Sequence, residues 1–575
     1  MKKSLKVIAL TVTVIVPFMT ASASEAKKTD TYQRQERERH EEHLEKKEGR
    51  SKWLAGDFHQ HSLYTDGSTP FDFEMSKNNE FGLDWWANSE HGGARNRDGE
   101  GVSWLYTAKY PVNPILGDFP EKGNMYRWQS LRDFVYPDIL RNRELYPDKK
   151  IASGVEWNVP GHEHSSTGIV AEDASAISAW EYMYDASDDD TSRDGEVTPY
   201  GVLAKHNGKS YQWVDGSKII TKKAVAEQHA DAVAGCGWMQ GQLEEGNINA
   251  GWIVFGHIER KGAWSTGGYD VNNFRDFNNA GPDVCFGFEG APGHQVNSSR
   301  GGFGTKAFGG TYGGAGFYTA TLGGLWDAML GEGRHWYNFA SSDYHSHYTA
   351  GGDDFYPGEY QKTWTKTEDK NRDGDISLEE ITAGNRSGNS FHVMGDLIDT
   401  LEFSARHHSE KVEMGGDLVI RKDHAKDKDH SKKEPVVIKI KFKSPIANNN
   451  GDTPVVDHLD LIAGEITGMI SPDSPDYTKA TNETTKVLAT FTAADWEVDE
   501  EGYNVITYRL MDLDRSMYFR LRGTNQAVNT PYETDEMGNP LADSLATANL
   551  GVDEAEEAWK DLWFYSNPLF VKVER

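Results

Sequence analysis

His59 and His61 stand two residues apart in Gly56-Asp57-Phe58-His59-Gln60-His61, and Asp66 follows across a turn of small residues. Alternate side chains of an extended segment share a face, so both imidazoles point the same way. Two imidazoles and a carboxylate make part of a coordination shell for a borderline transition metal. The competing reading is a pair of solvent-facing histidines on a loop. The same donor types recur along the chain: His91 in Glu90-His91-Gly92-Gly93, Glu156, His162 and His164, His257, and Asp343 with His345. No thiolate is among them. Such a set suits two or three Mn, Zn or Fe ions, with carboxylates bridging between ions.

The elements that must position these donors are legible in outline. Strands are expected at Trp53–His61, Asp84–Asn88, Lys150–Trp157, Ser165–Val170, Gly251–Gly256, Asp283–Phe288 and Tyr337–Ser341. Helices are expected at Asp72–Phe81, at Gln129–Tyr146 with a kink or break at Pro137, at Thr221–Ala234 and at Trp326–Leu330. Strands alternating with helices predict an α/β fold with a parallel sheet. The donors fall at the C-terminal ends of successive strands, where a barrel of this type places its chemistry.

The order of these motifs resembles the polymerase and histidinol phosphatase (PHP) superfamily of metal-dependent phosphoesterases. The matching stretches are Asp57-Phe58-His59-Gln60-His61, Asp66-Gly67, Glu90-His91-Gly92, Gly154-Val155-Glu156, His164, Gly256-His257 and Ser342-Asp343-Tyr344-His345, spanning about residues 53–350. The family usually carries Asp where this chain has Glu90. The resemblance implies a distorted (β/α)7 barrel with a trinuclear site. It implies nine ligands: His59, His61, Asp66, His91, Glu156, His164, His257, Asp343 and His345. His162 competes with His164 for one role, and His164 is preferred because a strand begins just beyond it. Hydrolysis of phosphate mono- or diesters by a metal-activated water would follow, on a small phosphorylated substrate. Arg260, then Arg95 and Arg97, are candidates to balance the developing charge; each can equally be a surface ion pair. Glu289 and His294 are candidates to line the pocket, and Glu289 equally a structural hydrogen-bond acceptor. The glycine-rich stretch Arg300–Gly324 reads as a loop at the mouth, either a lid or an ordered packing element.

A second constellation is separate. Asp369-Lys370-Asn371-Arg372-Asp373-Gly374-Asp375-Ile376-Ser377-Leu378-Glu379-Glu380 fits a twelve-residue calcium loop of the EF-hand type. Asp369, Asn371 and Asp373 offer side-chain oxygens, Asp375 its carbonyl, and Glu380 both carboxylate oxygens. With short or absent flanking helices, Ca2+ here reads as a structural clip.

The 575-residue chain carries a formal net charge of −30, which argues against a nucleic-acid partner. Residues 1–23 read as a secretory signal, with Lys2 and Lys3 before a short apolar run and Ala21-Ser22-Ala23 as the cleavage site. The protein is therefore expected to be exported, to a periplasm or the outside, without a stable membrane span. Residues 24–52 read as a charged linker. The only cysteines, Cys236 and Cys285, are either one disulfide or two buried thiols. The expected domains are a barrel over 53–365, the calcium loop over 366–384 and an all-β, sandwich-like domain over 385–575. The last rests on alternating segments at Pro435–Phe442, His458–Ile462, Lys486–Phe491, Tyr503–Met511, Met517–Gly523 and Leu562–Val573. Lys422–Glu434 is a further charged stretch. The close of the chain, Trp563–Val571, is similar to the end of sandwich domains that follow some secreted PHP proteins. Two other functions remain open from sequence: a calcium-stabilised binding protein without catalysis, and a hydrolase of a non-phosphate bond on an amidohydrolase-like cluster.

Overall fold

One long mixed sheet runs through both halves of the chain. The computed structural model describes residues 50–262, 267–303, 308–421, 434–550 and 554–574. The expected signal segment, the linker up to residue 49 and the charged stretch 422–433 lie outside the described residues.

The strands of the first half are β1 (Ser51–Asp57), β2 (Trp85–Asn88), β3 (Lys150–Asn158), β4 (His164–Val170), β5 (Ala250–Phe255), β6 (Gly287–Ala291), β7 (Tyr337–Ala340), β8 (Gln361–Glu368) and β9 (Ser390–Met394). Between them lie α1 (Phe71–Glu80), α2 (Tyr136–Leu145), α3 (Ser175–Tyr184), α4 (Val225–Glu244), α5 (Val271–Ala280), α6 (Leu325–Gly331) and α7 (Leu378–Ser387). The sheet order begins β7-β6-β5-β4-β3-β2-β1. Neighbours in this run are parallel except around β4, which is antiparallel to both β3 and β5. The all-parallel expectation fails here for a simple reason: only residues 159–163 join β3 to β4, too few for a parallel crossover. At the two ends of the run, the tips of β1 and β7 meet. Gln60 and Tyr344 form an isolated parallel bridge, and the His61 amide donates to the Tyr344 carbonyl at 2.8 Å.

Aromatic packing fills the inside of this run. The Phe58 ring meets Trp85, Phe339 and Trp252 edge-on, at centroid distances of 4.8, 5.2 and 6.0 Å. Edge-to-face pairs of this kind add to the stabilisation from burial. Gly56 is required by the same packing, since a Cβ there would lie 1.9 Å from Trp85 Cε2. Ile376 and Ile381, from the expected calcium loop and α7, join this cluster. Lys150 at the start of β3 pairs with Asp375 at 2.6 Å, and Asn249 just before β5 bonds Glu379. The loop and α7 therefore cover the N-terminal ends of the strands, opposite the histidines.

Two local expectations shift. The helix expected from Thr221 begins at Val225, because Thr221 and Lys222 belong to a hairpin of Lys209–Val214 with Ser217–Lys222. The strand expected at Asp283–Phe288 is Gly287–Ala291, because the Gly281 carbonyl takes the amides of Val284 and Cys285 into a turn. Glu289 is thus inside a strand and not at its tip. Pro137 falls where the expected helix divides: a π turn over Leu131–Val135 precedes it, and α2 begins at Tyr136. Cys236 and Cys285 are both buried free thiols.

Beyond β1 the sheet continues antiparallel through β8 and β9 into the second half. The strands there are β10 (Thr400–His407), β11 (Asp417–Arg421), β12 (Val436–Lys443), β13 (His458–Glu465), β14 (Lys486–Thr492), β15 (Asn504–Leu510), β16 (Met517–Thr524), β17 (Trp563–Ser566) and β18 (Leu569–Glu574). The order is β8-β9-β17-β16-β13-β14, with β18 beside β16 and β11. β10, β12 and β15 belong to a second, five-stranded antiparallel sheet. Its buried Phe403, Ile438 and Ile440 share one core with Leu459, Leu521 and Phe564 of the long sheet. No described helix is long and apolar enough to cross a membrane.

Candidate metal centre

The tips of β1 and β7 are tied by Asp57. Its Oδ1 accepts the His59 amide at 2.7 Å and its Oδ2 the Ser342 amide at 3.0 Å. The Ser342 hydroxyl in turn donates to the His59 carbonyl at 3.0 Å. Burial pushes the Asp57 carboxyl up to about 7, against those hydrogen bonds. His59 and Asp343 are brought face to face by this arrangement, 3.1 Å apart between Nε2 and Oδ1.

Two carboxylates organise the rest. Asp343 Oδ1 also lies 3.2 Å from His61 Nε2, and Oδ2 lies 3.3 Å from His257 Nε2. Glu156 Oε1 is 2.6 Å from His164 Nδ1 and 3.2 Å from His257 Nε2. Its Oε2 is 2.6 Å from His91 Nδ1 and 3.4 Å from His61 Nε2. Asp66, on the open side, faces His91 at 3.1 Å and His345 at 3.6 Å. All nine expected positions fall in one pool. Its donor atoms form overlapping groups: His61 with Asp66, His91 and His345; His59 with His61, Glu156 and Asp343; His91 with Glu156 and His164; His294 with Asp343 and His345. His257 is outside those groups but faces both bridging carboxylates.

The donor set fits divalent cations. His59 Nε2 and His61 Nε2 are 3.1 Å apart, two nitrogens aimed at one point. Glu156 and Asp343 are both buried and face imidazole nitrogens at 2.6–3.4 Å, and two buried carboxylates are costly unless positive charge shares the space. Electrostatics are mixed: the surrounding carboxylates, Asp343 first, raise His59 well above the ordinary imidazole value against its burial. Both carboxyls are held well below the usual range, the imidazoles around them outweighing burial. Burial, with His345 alongside, brings His61 down to about 3. Burial and the Arg260 guanidinium bring His257 down to about 4. Both imidazoles are thus kept neutral, as ligation requires. His91 goes the other way, to about 10, because Glu156 and Asp66 overcome its burial.

Three residues here have left-handed backbone: His257 at φ 51°, His294 at φ 57° and Asp343 at φ 45°. Non-glycine residues adopt that region at a cost, and such strain gathers at functional sites. Residue type reports it only weakly. His294 also goes beyond its expected place in the pocket wall. Its Nε2 lies 3.0 Å from Asp343 Oδ2 and its Nδ1 2.7 Å from Asp354 Oδ1. Asp354 was not visible from sequence as part of the site; it accepts the amides of His345 and Ser346 and so fixes that loop.

The remaining candidates are placed as follows. Glu289 lies behind His59, at 3.1 and 3.2 Å from its Nδ1, and accepts from Ser166 Oγ. It is a buried acceptor that orients the His59 ring, not a pocket-lining group. Glu90 points away from His91; its carboxylate accepts from the Ser62 amide and hydroxyl, Thr65 Oγ1 and Asn88 Nδ2. It therefore braces the turn between His61 and Asp66. His162 is turned from the pool toward His229 and the Gly268 carbonyl, both at 2.9 Å. Arg260 is paired with Glu163 at 2.6 Å. Arg97 donates to the carbonyls of Thr65 and Gly67. Arg95 is 41% exposed and lies 3.9 Å from Asp66, at the open side of the pool. In the glycine-rich stretch, Asp543 accepts the Gly313 and Gly314 amides and Arg300 is buried against Asp561.

At the other end of the strands, the Asp369 carboxylate accepts the Arg372 and Gly374 amides, and Glu380 accepts those of Lys370, Asn371 and Ser377. Gly374 has φ 88°, the turn a calcium loop requires at that position. A strand, β8, enters the loop and a helix, α7, leaves it. Among the described residues the convergent His/Asp/Glu groups are all in the histidine pool; Asp369, Asn371, Asp373, Asp375 and Glu380 are not among them.

No family model matches the chain, and no curated protein matches it. Among solved structures, the chain is similar to a two-domain protein containing a predicted PHP-like metal-dependent phosphoesterase from Bacteroides vulgatus. The identity is 12%, the match covers 85% of this chain and 93% of that one, and the TM-score is 0.29.

Proposed function

We propose that the protein is an exported metal-dependent phosphoesterase acting on phosphate mono- or diesters. One observation carries the reading: Glu156 and Asp343 each stand between imidazoles delivered by separate strand ends, the arrangement that bridged divalent ions need. The meeting of the β1 and β7 tips supports a distorted (β/α)7 barrel around the pool. The shared core of the two C-terminal sheets supports a sandwich there. Mn, Zn or Fe suits the nitrogen and oxygen donors. Ca2+ at the Asp369–Glu380 loop is part of the proposal, supported by its wound backbone and its place under the strands.

Divalent ions held by this pool supply the Lewis acidity and the acidified water that phosphoester hydrolysis requires. The chain's own groups set the geometry around them. Glu289 fixes the His59 ring from behind, and Asp57 fixes the backbone that carries it. Asp354 holds His294 with its other nitrogen aimed at the pool, positioned to pass a proton to a departing oxygen. Arg95, exposed beside Asp66, is the cation best placed to meet a phosphoryl oxygen. Arg260 acts through His257 and Glu163.

The test is release of phosphate from a panel of mono- and diesters after reconstitution with Mn, Zn or Fe. Hydrolysis should appear with at least one ion and fall by 10²-fold or more, on the order of a lost electrostatic contact, in Asp343→Asn. Absence of hydrolysis with every ion, on protein that holds the metal, would overturn the reading.

A further inference from the structure

A cleft of about 530 Å3 opens beside the pool, within the range of small-molecule sites. It is separated from the metal centre by a two-stranded ribbon, Ala94–Arg95 paired with Met125–Tyr126. Ala94 and Tyr126 line the cleft, while the next residue, Arg95, reaches toward Asp66. The far wall comes from the hairpin of Lys209–Val214 with Ser217–Lys222.

Three features mark this cleft. First, Phe119 has φ 61° and ψ 52°, a left-handed conformation that a bulky side chain seldom takes. Trp213 packs against its ring at 5.7 Å. Second, the cleft's carboxylates are already neutralised: Asp118 pairs with Lys218 at 2.9 Å, and Asp189 with Lys209 at 2.6 Å. Third, Lys122 is left over. Its ammonium sits 4.1 Å from the Phe119 ring centre, and no described carboxylate pairs with it. On a chain of net charge −30, a cation resting on an aromatic face is available to an anion, because a charge-assisted hydrogen bond is the stronger interaction. Asn124, Ser187 and Ser217 add hydroxyl and amide groups to the wall.

We propose that the cleft binds an acidic sugar. The carboxylate or phosphate of the ligand takes Lys122 from the Phe119 ring, and the sugar ring covers the face thus freed while its hydroxyls meet Asn124 and the two serines. The strain at Phe119 is then the cost of holding an aromatic platform in place. This site is distinct from the metal pool and does not depend on its activity.

The test is calorimetric titration of the full-length protein with glucuronate, glucose 6-phosphate, glucose and inorganic phosphate. Glucuronate or glucose 6-phosphate should bind, whichever is tighter identifying the preferred acid, with glucose and inorganic phosphate each at least tenfold weaker. Lys122→Met should weaken that binding at least tenfold with metal content unchanged. Phe119→Gly is the sharper variant, because glycine relieves the left-handed strain. It should keep its fold by circular dichroism yet lose binding at least tenfold. The proposal is overturned if neither acidic sugar binds at millimolar concentration, if inorganic phosphate binds as well as the sugar phosphate, or if both variants bind like wild type.

Discussion

Asp343 Oδ1 lies 3.1 Å from His59 Nε2, although the two residues come from the opposite ends of a run of strands. Asp57 makes that meeting possible by accepting one backbone amide from each side. Asp57→Ala leaves both amides without an acceptor in a buried place. At about 1–3 kcal/mol for each unsatisfied buried group, the variant should lose roughly 2–6 kcal/mol in urea denaturation. It should also hold less metal than wild type, because His59 and Asp343 are no longer registered.

The loop under the strands makes a separate prediction. If Ca2+ binds the Asp369–Glu380 loop, it stabilises the folded chain by mass action, by about 2.7 kcal/mol when present at a hundred times its dissociation constant. Adding Ca2+ to chelator-treated protein should raise Tm by several degrees. Glu380→Gln should abolish that rise while leaving the transition-metal content intact. An equal rise in the variant would remove calcium from this loop.

Arg520 of β16 and Asp327 of α6 form a fully buried two-point ion pair, at 2.8 and 2.9 Å, that joins the two halves of the chain. Arg520→Leu strands the Asp327 charge. It should cost about 3–5 kcal/mol, whereas the double variant Arg520→Leu/Asp327→Leu should cost less, since breaking a buried pair is worse than replacing it. Denaturation of the three proteins checks the order.

His392 sets an acid limit on stability. It is fully buried in β9, neither ring nitrogen has a partner, and burial lowers it to about 3 from an ordinary value of 6.5. Below pH ~6.5 the unfolded chain therefore takes up a proton that the folded chain refuses. Stability falls as pH drops from there toward 3, by about 2 kcal/mol at pH 5 from this group alone. His392→Phe should flatten that part of the stability profile, measured by denaturation between pH 7 and pH 5.

The convergence of these imidazoles and carboxylates is legible in sequence because they sit in short motifs at strand ends, and strand ends are marked by apolar runs that stop at His, Glu or Asp. Long-range pairing is not. The reversal of β4 follows from a five-residue connection that could have been counted at Val159–Glu163. β8 was missed although Gln361–Glu368 alternates its side chains, because its threonines and lysines look like a surface. Charge type alone does not set the roles of Glu289 and Arg260; their neighbours do, His59 and Ser166 enclosing the first and Glu163 pairing with the second. The left-handed backbone of His257, His294 and Asp343 has only a weak sequence signal: His and Asp enter that region more readily than most non-glycine residues, yet most of them do not.

One pool of imidazoles and carboxylates is proposed to hold divalent metal. Elemental analysis of purified protein, repeated on His59→Ala and Asp343→Asn, tests it most directly. Wild type should hold two to three equivalents of Mn, Zn or Fe and each variant should lose at least one, with the fold intact by circular dichroism. Wild-type protein that takes up none of these ions after incubation with each, or variants that keep the full complement, would contradict it.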